Sequence, residues 1–152
     1  MTRRTTLARL TSRHRYQLPL GSDALWDTLN DLDRYQGWWP WLQSFDARSL
    51  SPGEVWHCKV RPPLPYVVRF TLTLGTVVPR RRITATVAGD IVGSADLEII
   101  DTADGCDVEL ASSLAPGRQW FRLLATAAGP LARRGHDWVL NTGAAQFIGH
   151  IA

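Results

Sequence analysis

The stretch RITATVAGDIVGSADLEII, residues 82–100, alternates as a half-buried antiparallel hairpin must. Ile83, Ala85 and Val87 fall on one face of the first arm, and Ala95, Leu97 and Ile99 on one face of the second. Arg82, Asp96 and Glu98 fall on the other face, and Gly89-Asp90 supplies the turn between the arms. The period of two extends in both directions, from Leu42 to Leu114. It predicts further strands at 42–50, 54–61, 66–78 and 106–114, with 82–89 and 92–100 in the middle. Short separators divide them: Ser51-Pro52-Gly53, Pro62-Pro63-Leu64-Pro65, Pro79-Arg80-Arg81 and Asp104-Gly105. Gaps this short make consecutive strands pair antiparallel, as a meander. The alternation turns Trp56, Cys58, Val60, Phe70, Leu72, Leu74, Val108, Leu110 and Ser112 inward, and His57, Lys59, Arg69, Asp107 and Glu109 outward. A slip of one residue would invert every assignment.

On the N-terminal side a short strand is expected from Arg15 to Leu20, then a turn at Gly21-Ser22 with Ser22 as N-cap. A helix follows over Asp23–Leu32, with Ala24, Leu25, Thr28, Leu29 and Leu32 on its apolar side. Pro40 forbids easy continuation, and Trp38, Trp39 and Trp41 crowd the junction. On the C-terminal side residues 118–150 form one long helical pattern that Gly129-Pro130 should kink or divide. Trp120, Leu124, Ala127, Leu131, Trp138, Thr142 and Ala145 fall close to one line on its wheel.

Composition bounds the class. The chain has 152 residues, 45% hydrophobic and 20% charged, which suits one domain of sizeable core. The net charge of +3 comes from the N-terminus: residues 1–15 carry five arginines and no acid, leaving 12 basic against 14 acidic groups in the rest. Residues 1–12 therefore read as a flexible Arg-rich tail, and 13–152 as a single domain. The body has no clustered basic surface beyond Arg80-Arg81-Arg82 and Arg133-Arg134, so no nucleic-acid partner is expected. No apolar run is long enough for a membrane span, so no integral membrane association is expected. Cys58 and Cys106 lack metal-ligand spacing and read as reduced core thiols of a cytoplasmic protein. No metal and no cofactor are expected; there is no phosphate loop, GxSxG or HExxH.

Strand, helix, six strands and a long helix is an order with one economical solution. The sheet curves around the last helix, the short helical segment plugs one end, and the space between them is a pocket where inward side chains fail to fill it. This order resembles the START-like, birch-pollen-allergen-like helix-grip superfamily (SRPBCC), in particular its polyketide cyclase/dehydrase-like group. The phrases that carry the resemblance are Leu25-Trp26-Asp27, Asp31-Leu32-Asp33-Arg34-Tyr35 with Trp39-Pro40, Pro79-Arg80-Arg81-Arg82-Ile83, Gly89-Asp90-Ile91-Val92-Gly93 and Gly135-His136-Asp137-Trp138-Val139-Leu140. They span about residues 13–150. The resemblance implies an α+β helix-grip fold: a curved antiparallel seven-stranded sheet wrapped around a long C-terminal helix, with a short helical segment after strand 1.

It also implies a hydrophobic small-molecule ligand, polyketide, isoprenoid or lipid-like, held by a monomer or homodimer. Two roles stay open: a cofactor-independent cyclase/dehydratase, or a non-catalytic carrier. Aromatase/cyclase members place hydroxyl and guanidinium groups on the long central strand, where this chain has Phe70, Leu72 and Leu74. A leucine neither stabilises an enolate nor delivers a proton. The remaining polar candidates for catalysis are His136, Asp137 and Asn141 on the last helix. Asp137 and Asn141, four apart, share a face, whereas His136 is turned about 100° from Asp137. The competing reading pairs Asp137 with Arg133 or Arg134. His57 reads as a surface residue, and His14 and His150, near the chain ends, are assigned no role. The expected ligand-binding residues are Trp39, Trp41, Trp56, Phe70, Leu72, Leu74, Leu97 and Trp138, with the tryptophans offering flat apolar faces.

Overall fold

The computed structural model describes residues 10–62, 67–117 and 129–151. The tail 1–9, the loop residues 63–66 and the expected helical stretch 118–128, with Trp120, Leu124 and Ala127, lie outside them. Seven strands form one antiparallel sheet: β1 (Leu10–Leu18), β2 (Leu42–Asp46), β3 (Val55–Val60), β4 (Val68–Val78), β5 (Arg82–Gly89), β6 (Ile91–Thr102) and β7 (Gly105–Pro116). Their order is β1-β7-β6-β5-β4-β3-β2, a six-strand meander whose last strand takes β1 as its outer neighbour. Ile83 pairs with Leu97 and Ala85 with Ala95, the register the alternation implies.

The sheet curls into a half-barrel around the C-terminal helix, here α3 (Gly129–Ile151). Pairing slips one step between Leu74 and Val77 and between Leu42 and Ser44, and irregularities of this kind bend a strand and increase its twist. The β5–β6 turn needs its glycine. Gly89 sits at φ +125°, and a Cβ there would lie 2.7 Å from the carbonyl oxygen of Arg69. α3 is described from Gly129-Pro130 onward, so the kink or break expected there borders residues outside the described ones.

Between β1 and β2 lie α1 (Ser22–Leu29), a 3-10 turn over Leu32–Arg34 and the short α2 (Tyr35–Trp38). Three expectations need correction here. β1 starts at Leu10 rather than Arg15, because the inward positions before Tyr16 are the polar His14 and Ser12, which hide the strand's pattern. The residue capping α1 is Gly21, not Ser22. Ser22 lies in the first turn, and its backbone N–H and hydroxyl both donate to the Asp101 carboxylate at the end of β6, 3.1 and 3.0 Å away. That carboxylate, placed at the positive end of the helix, docks α1 onto the sheet. Finally, α1 stops at Leu29, where the Asn30 amide turns back onto the Trp26 carbonyl (2.9 Å).

The core runs from Leu18 and Leu25 through Leu32, Tyr35 and Trp38 to Trp56, Cys58 and Val60, with Phe147 reaching in from α3. His57 is exposed, as its outward register requires. Asp107 points outward too but is only 9% exposed, shielded by Arg15, whose Nε lies 3.0 Å from its carboxylate. No helix among the described residues is long and apolar enough to cross a membrane, and no group of three or more His, Cys, Asp or Glu there could hold a metal.

Candidate functional site

A cavity of about 370 Å³ lies between the sheet and α3. Its sheet wall is the inward face of consecutive strands. Trp56, Cys58 and Val60 come from β3, Phe70, Leu72 and Leu74 from β4, Ile83 and Ala85 from β5. Ala95, Asp96 and Leu97 on β6, Val108 and Leu110 on β7, and Tyr16 and Leu18 on β1 continue it, the Asp96 carboxylate being paired with Arg82. The α1–β2 region contributes Tyr35, Trp39 and Trp41, and α3 contributes Val139, Leu140, Gly143, Ala144 and Phe147. A second depression of about 600 Å³ lies beside the β4–β5 turn, among Arg80, Arg81, Arg82, Glu98 and Asp101. Two of its arginines are paired with residues outside it, Arg80 with Asp23 and Arg82 with Asp96.

The polar atoms of the aromatic lining are turned away from the cavity and occupied. Trp39 Nε1 donates to the Gly143 carbonyl (2.8 Å), Trp41 Nε1 to Gln146 Oε1 (2.8 Å) and Trp56 Nε1 to the Ser49 carbonyl (2.9 Å). The Tyr35 hydroxyl donates to the Leu29 carbonyl, and the Tyr16 hydroxyl to Asn141 Oδ1 (3.1 Å). Buried hydroxyl and indole groups left unpaired would each cost on the order of 1–3 kcal/mol, so satisfying them behind the wall leaves a greasy interior at no penalty. Burial pushes the Tyr35 hydroxyl well above its ordinary value, and the Cys58 thiol up to about 12. Neither ionises near neutrality, and the cavity carries no charge from them.

The aromatic corner is knit together. Tyr35 stacks on Phe45 (5.1 Å between centroids) and meets Trp39 edge-on (5.1 Å), while Trp39 stacks on Trp41 (5.8 Å). Both indoles lie against α3 at Gly143, where an added Cβ would come within 3.0 Å of the Trp41 ring and 3.5 Å of Trp39 Nε1. The glycine gives the two rings room to lie close against the helix.

Of the expected ligand-binding residues, Trp39, Trp41, Trp56, Phe70, Leu72, Leu74 and Leu97 stand on the cavity wall. Trp138 does not. The lining positions of α3 are 139, 140, 143, 144 and 147, and at about 100° per residue position 138 falls on the opposite side of the helix. Its ring instead meets the far side of Trp41, 6.4 Å between centroids. His136, Asp137 and Asn141 are also off the cavity wall. His136 continues the lining face one turn beyond Leu140, and its Nε2 lies 3.3 Å from the Ser112 hydroxyl. Asp137 and Asn141 share a flank, as their spacing implies, but that flank faces β1. Asp137 lies 3.5 Å from His14 Nε2 and 3.8 Å from His136 Nδ1, while Asn141 accepts from Tyr16. His14, assigned no role from its position near the N-terminus, is thus the partner that β1 brings to Asp137; the alternating Ser12, His14, Tyr16 was the signal. Partial burial, and then the Asp137 charge, raise the Tyr16 hydroxyl above its ordinary value.

No family model matches the chain, and no curated protein sequence does. Solved structures do. The di-domain ARO/CYC BexL superimposes with a TM-score of 0.76 at 13% identity, over 96% of this chain and 51% of BexL, so this chain spans about half that protein's length. A START superfamily protein from Mycobacterium smegmatis gives 0.72 at 9% identity, over 94% of this chain and 97% of that one. Ara h 8.0201 gives 0.70 at 9% identity, over 95% and 98%. At these identities the likeness is one of architecture, and with a seven-stranded antiparallel half-barrel closed around a C-terminal helix, the chain has the helix-grip fold.

Proposed function

We propose that this protein binds a hydrophobic small molecule in the cavity between sheet and α3, and acts as a carrier or accessory binder rather than as an enzyme. The observation that supports this reading is the wall itself: aliphatic and aromatic, with the indole and phenol groups of its rings bonded outward. Such a surface attracts apolar area, and the carboxylate of Asp96, the one charged group of the lining among the described residues, is already paired with Arg82. Trp39, Trp41, Trp56, Phe70, Leu72, Leu74 and Leu97 are the proposed contacts. Filling the cavity tests it. Ala85→Phe places a ring in the middle of the sheet wall, and it should weaken binding of the apolar fluorophore N-phenylnaphthylamine by about tenfold or more. Equal binding by a folded variant would place the ligand elsewhere.

A second reading, cyclisation or dehydration of a polyketide without cofactor, is favoured by one feature. His136 and Ser112 lie on the lining faces of α3 and β7 one step beyond Leu140 and Leu110, an imidazole and a hydroxyl 3.3 Å apart just outside the lining. In that reading His136, Asp137 and Asn141 are the candidates for acid–base work. Asp137→Asn separates the two: lost turnover with retained binding supports the enzyme, and binding with no turnover to lose supports the carrier.

A further inference from the structure

The apolar lining ends at one place, and three elements end it together. Along the inner face of β1 the residues run Leu18, Tyr16, His14, Ser12, opposite Cys106, Val108, Leu110 and Ser112 of β7. On α3 the same direction runs from Phe147 through Gly143 and Leu140 to His136, with Asp137 beside it. β1 turns polar at His14, β7 one inward pair further on at Ser112, and α3 at His136, all toward the same end. Tyr16 straddles the change, since it lines the cavity while its hydroxyl donates to Asn141 Oδ1, 3.1 Å away. Beyond it the Ser12 and Ser112 hydroxyls are 2.9 Å apart, and Ser112 is 3.3 Å from His136 Nε2. Among the described residues this end keeps contact with solvent: the side chains of His14 and Asp137 have 25% and 36% of their surface exposed.

We infer that this end receives the head of an amphiphilic ligand, and that the head is a neutral hydroxyl rather than a carboxylate or an ammonium. The inference rests on the cavity holding the apolar body. Asp137 brings a carboxylate that accepts hydrogen bonds; Asn141, its Oδ1 engaged by Tyr16, has its amide N–H groups left to donate. A hydroxyl does both, donating to Asp137 and accepting from Asn141. A carboxylate only accepts, and it meets the charge of Asp137. The arginines of β1 do not offset that charge, because Arg13 and Arg15 turn to the outer face and pair with Glu109 and Asp107. An ammonium only donates: it can pair with Asp137 but leaves the Asn141 amide unused.

The test is calorimetric titration of the full chain at pH 8 with dodecanol, dodecanoate and dodecylamine, which share one tail and differ in the head. Dodecanol should bind tighter than dodecanoate by roughly five- to tenfold, the size of a partly screened like-charge contact. Asp137→Asn should shrink that ratio to within about twofold, mainly by improving dodecanoate. Asn141→Ala, at an exposed position that folding tolerates, should weaken dodecanol severalfold without helping dodecanoate. Dodecanoate or dodecylamine matching dodecanol in the parent protein, or an unchanged ratio in a folded Asp137→Asn, would overturn the head assignment. Equal binding of all three leaves the cavity standing and removes the head site. Binding of none removes both.

Discussion

Cys58 and Tyr35 are ionisable groups buried in the cavity wall, and they make the account testable one residue at a time. The folded thiol of Cys58 keeps its proton from its ordinary 9.0 up to about 12. Its contribution to stability is therefore complete below pH 9.0 and is lost as the pH climbs toward 12, because the unfolded thiol releases its proton first. Denaturant titrations between pH 8 and 10 should show stability falling with pH, and Cys58→Ala should lessen the slope; Cys106, also raised by burial, keeps the remainder. A slope that Cys58→Ala leaves untouched would mean the thiol is hydrated. Tyr35→Phe should cost about 1–2 kcal/mol, since it strips the Leu29 carbonyl of its buried donor, and urea unfolding measures it. At this scale the sequence was informative where one face is uniformly apolar: Phe70, Leu72, Leu74 and Leu97 face inward as alternation requires. It was uninformative where a strand's inner face turns polar. Ser12 and His14 look like tail residues until β7 is laid beside them, because only pairing with Ser112 and Leu110 gives them an inside.

At the scale of elements, the contact between the α2–β2 segment and α3 defines one wall of the cavity. Gly143 permits it, and two indole hydrogen bonds hold it. Alanine there gains helix propensity of about 1 kcal/mol but must press on the Trp41 ring at 3.0 Å, so the two effects nearly cancel. Gly143→Leu has no such relief. It should destabilise the protein by about 2–3 kcal/mol and shift tryptophan emission to the red as Trp39 and Trp41 are displaced. Unchanged emission would show that the rings do not rest on α3. Spacing had announced the crowding of Trp38, Trp39 and Trp41, but not their partners, since Gly143 and Gln146 lie over 100 residues away in sequence. Trp138 misled for the related reason that a helix wheel needs a reference face. That face is set by where the sheet meets α3, which no local pattern contains. The corrected cap of α1 is of the same kind: Asp101 serves Ser22 from a strand that folds back to it.

For the whole molecule, the order of elements was legible because each strand is short, alternating and punctuated, and a meander needs no long-range information. A sheet of seven strands with one apolar face must cover it, and among the described residues the long C-terminal helix is the available cover. What covers a sheet incompletely leaves a cavity. The proposal that this space carries a ligand is the claim everything else depends on. Native mass spectrometry of freshly purified protein, followed by denaturing extraction, addresses it most directly. The account predicts a stoichiometric adduct, released on unfolding, that partitions into organic solvent and is absent from Ala85→Phe. An adduct held equally by Ala85→Phe, or a parent protein that takes up no apolar molecule even when incubated with dodecanol before measurement, would contradict it.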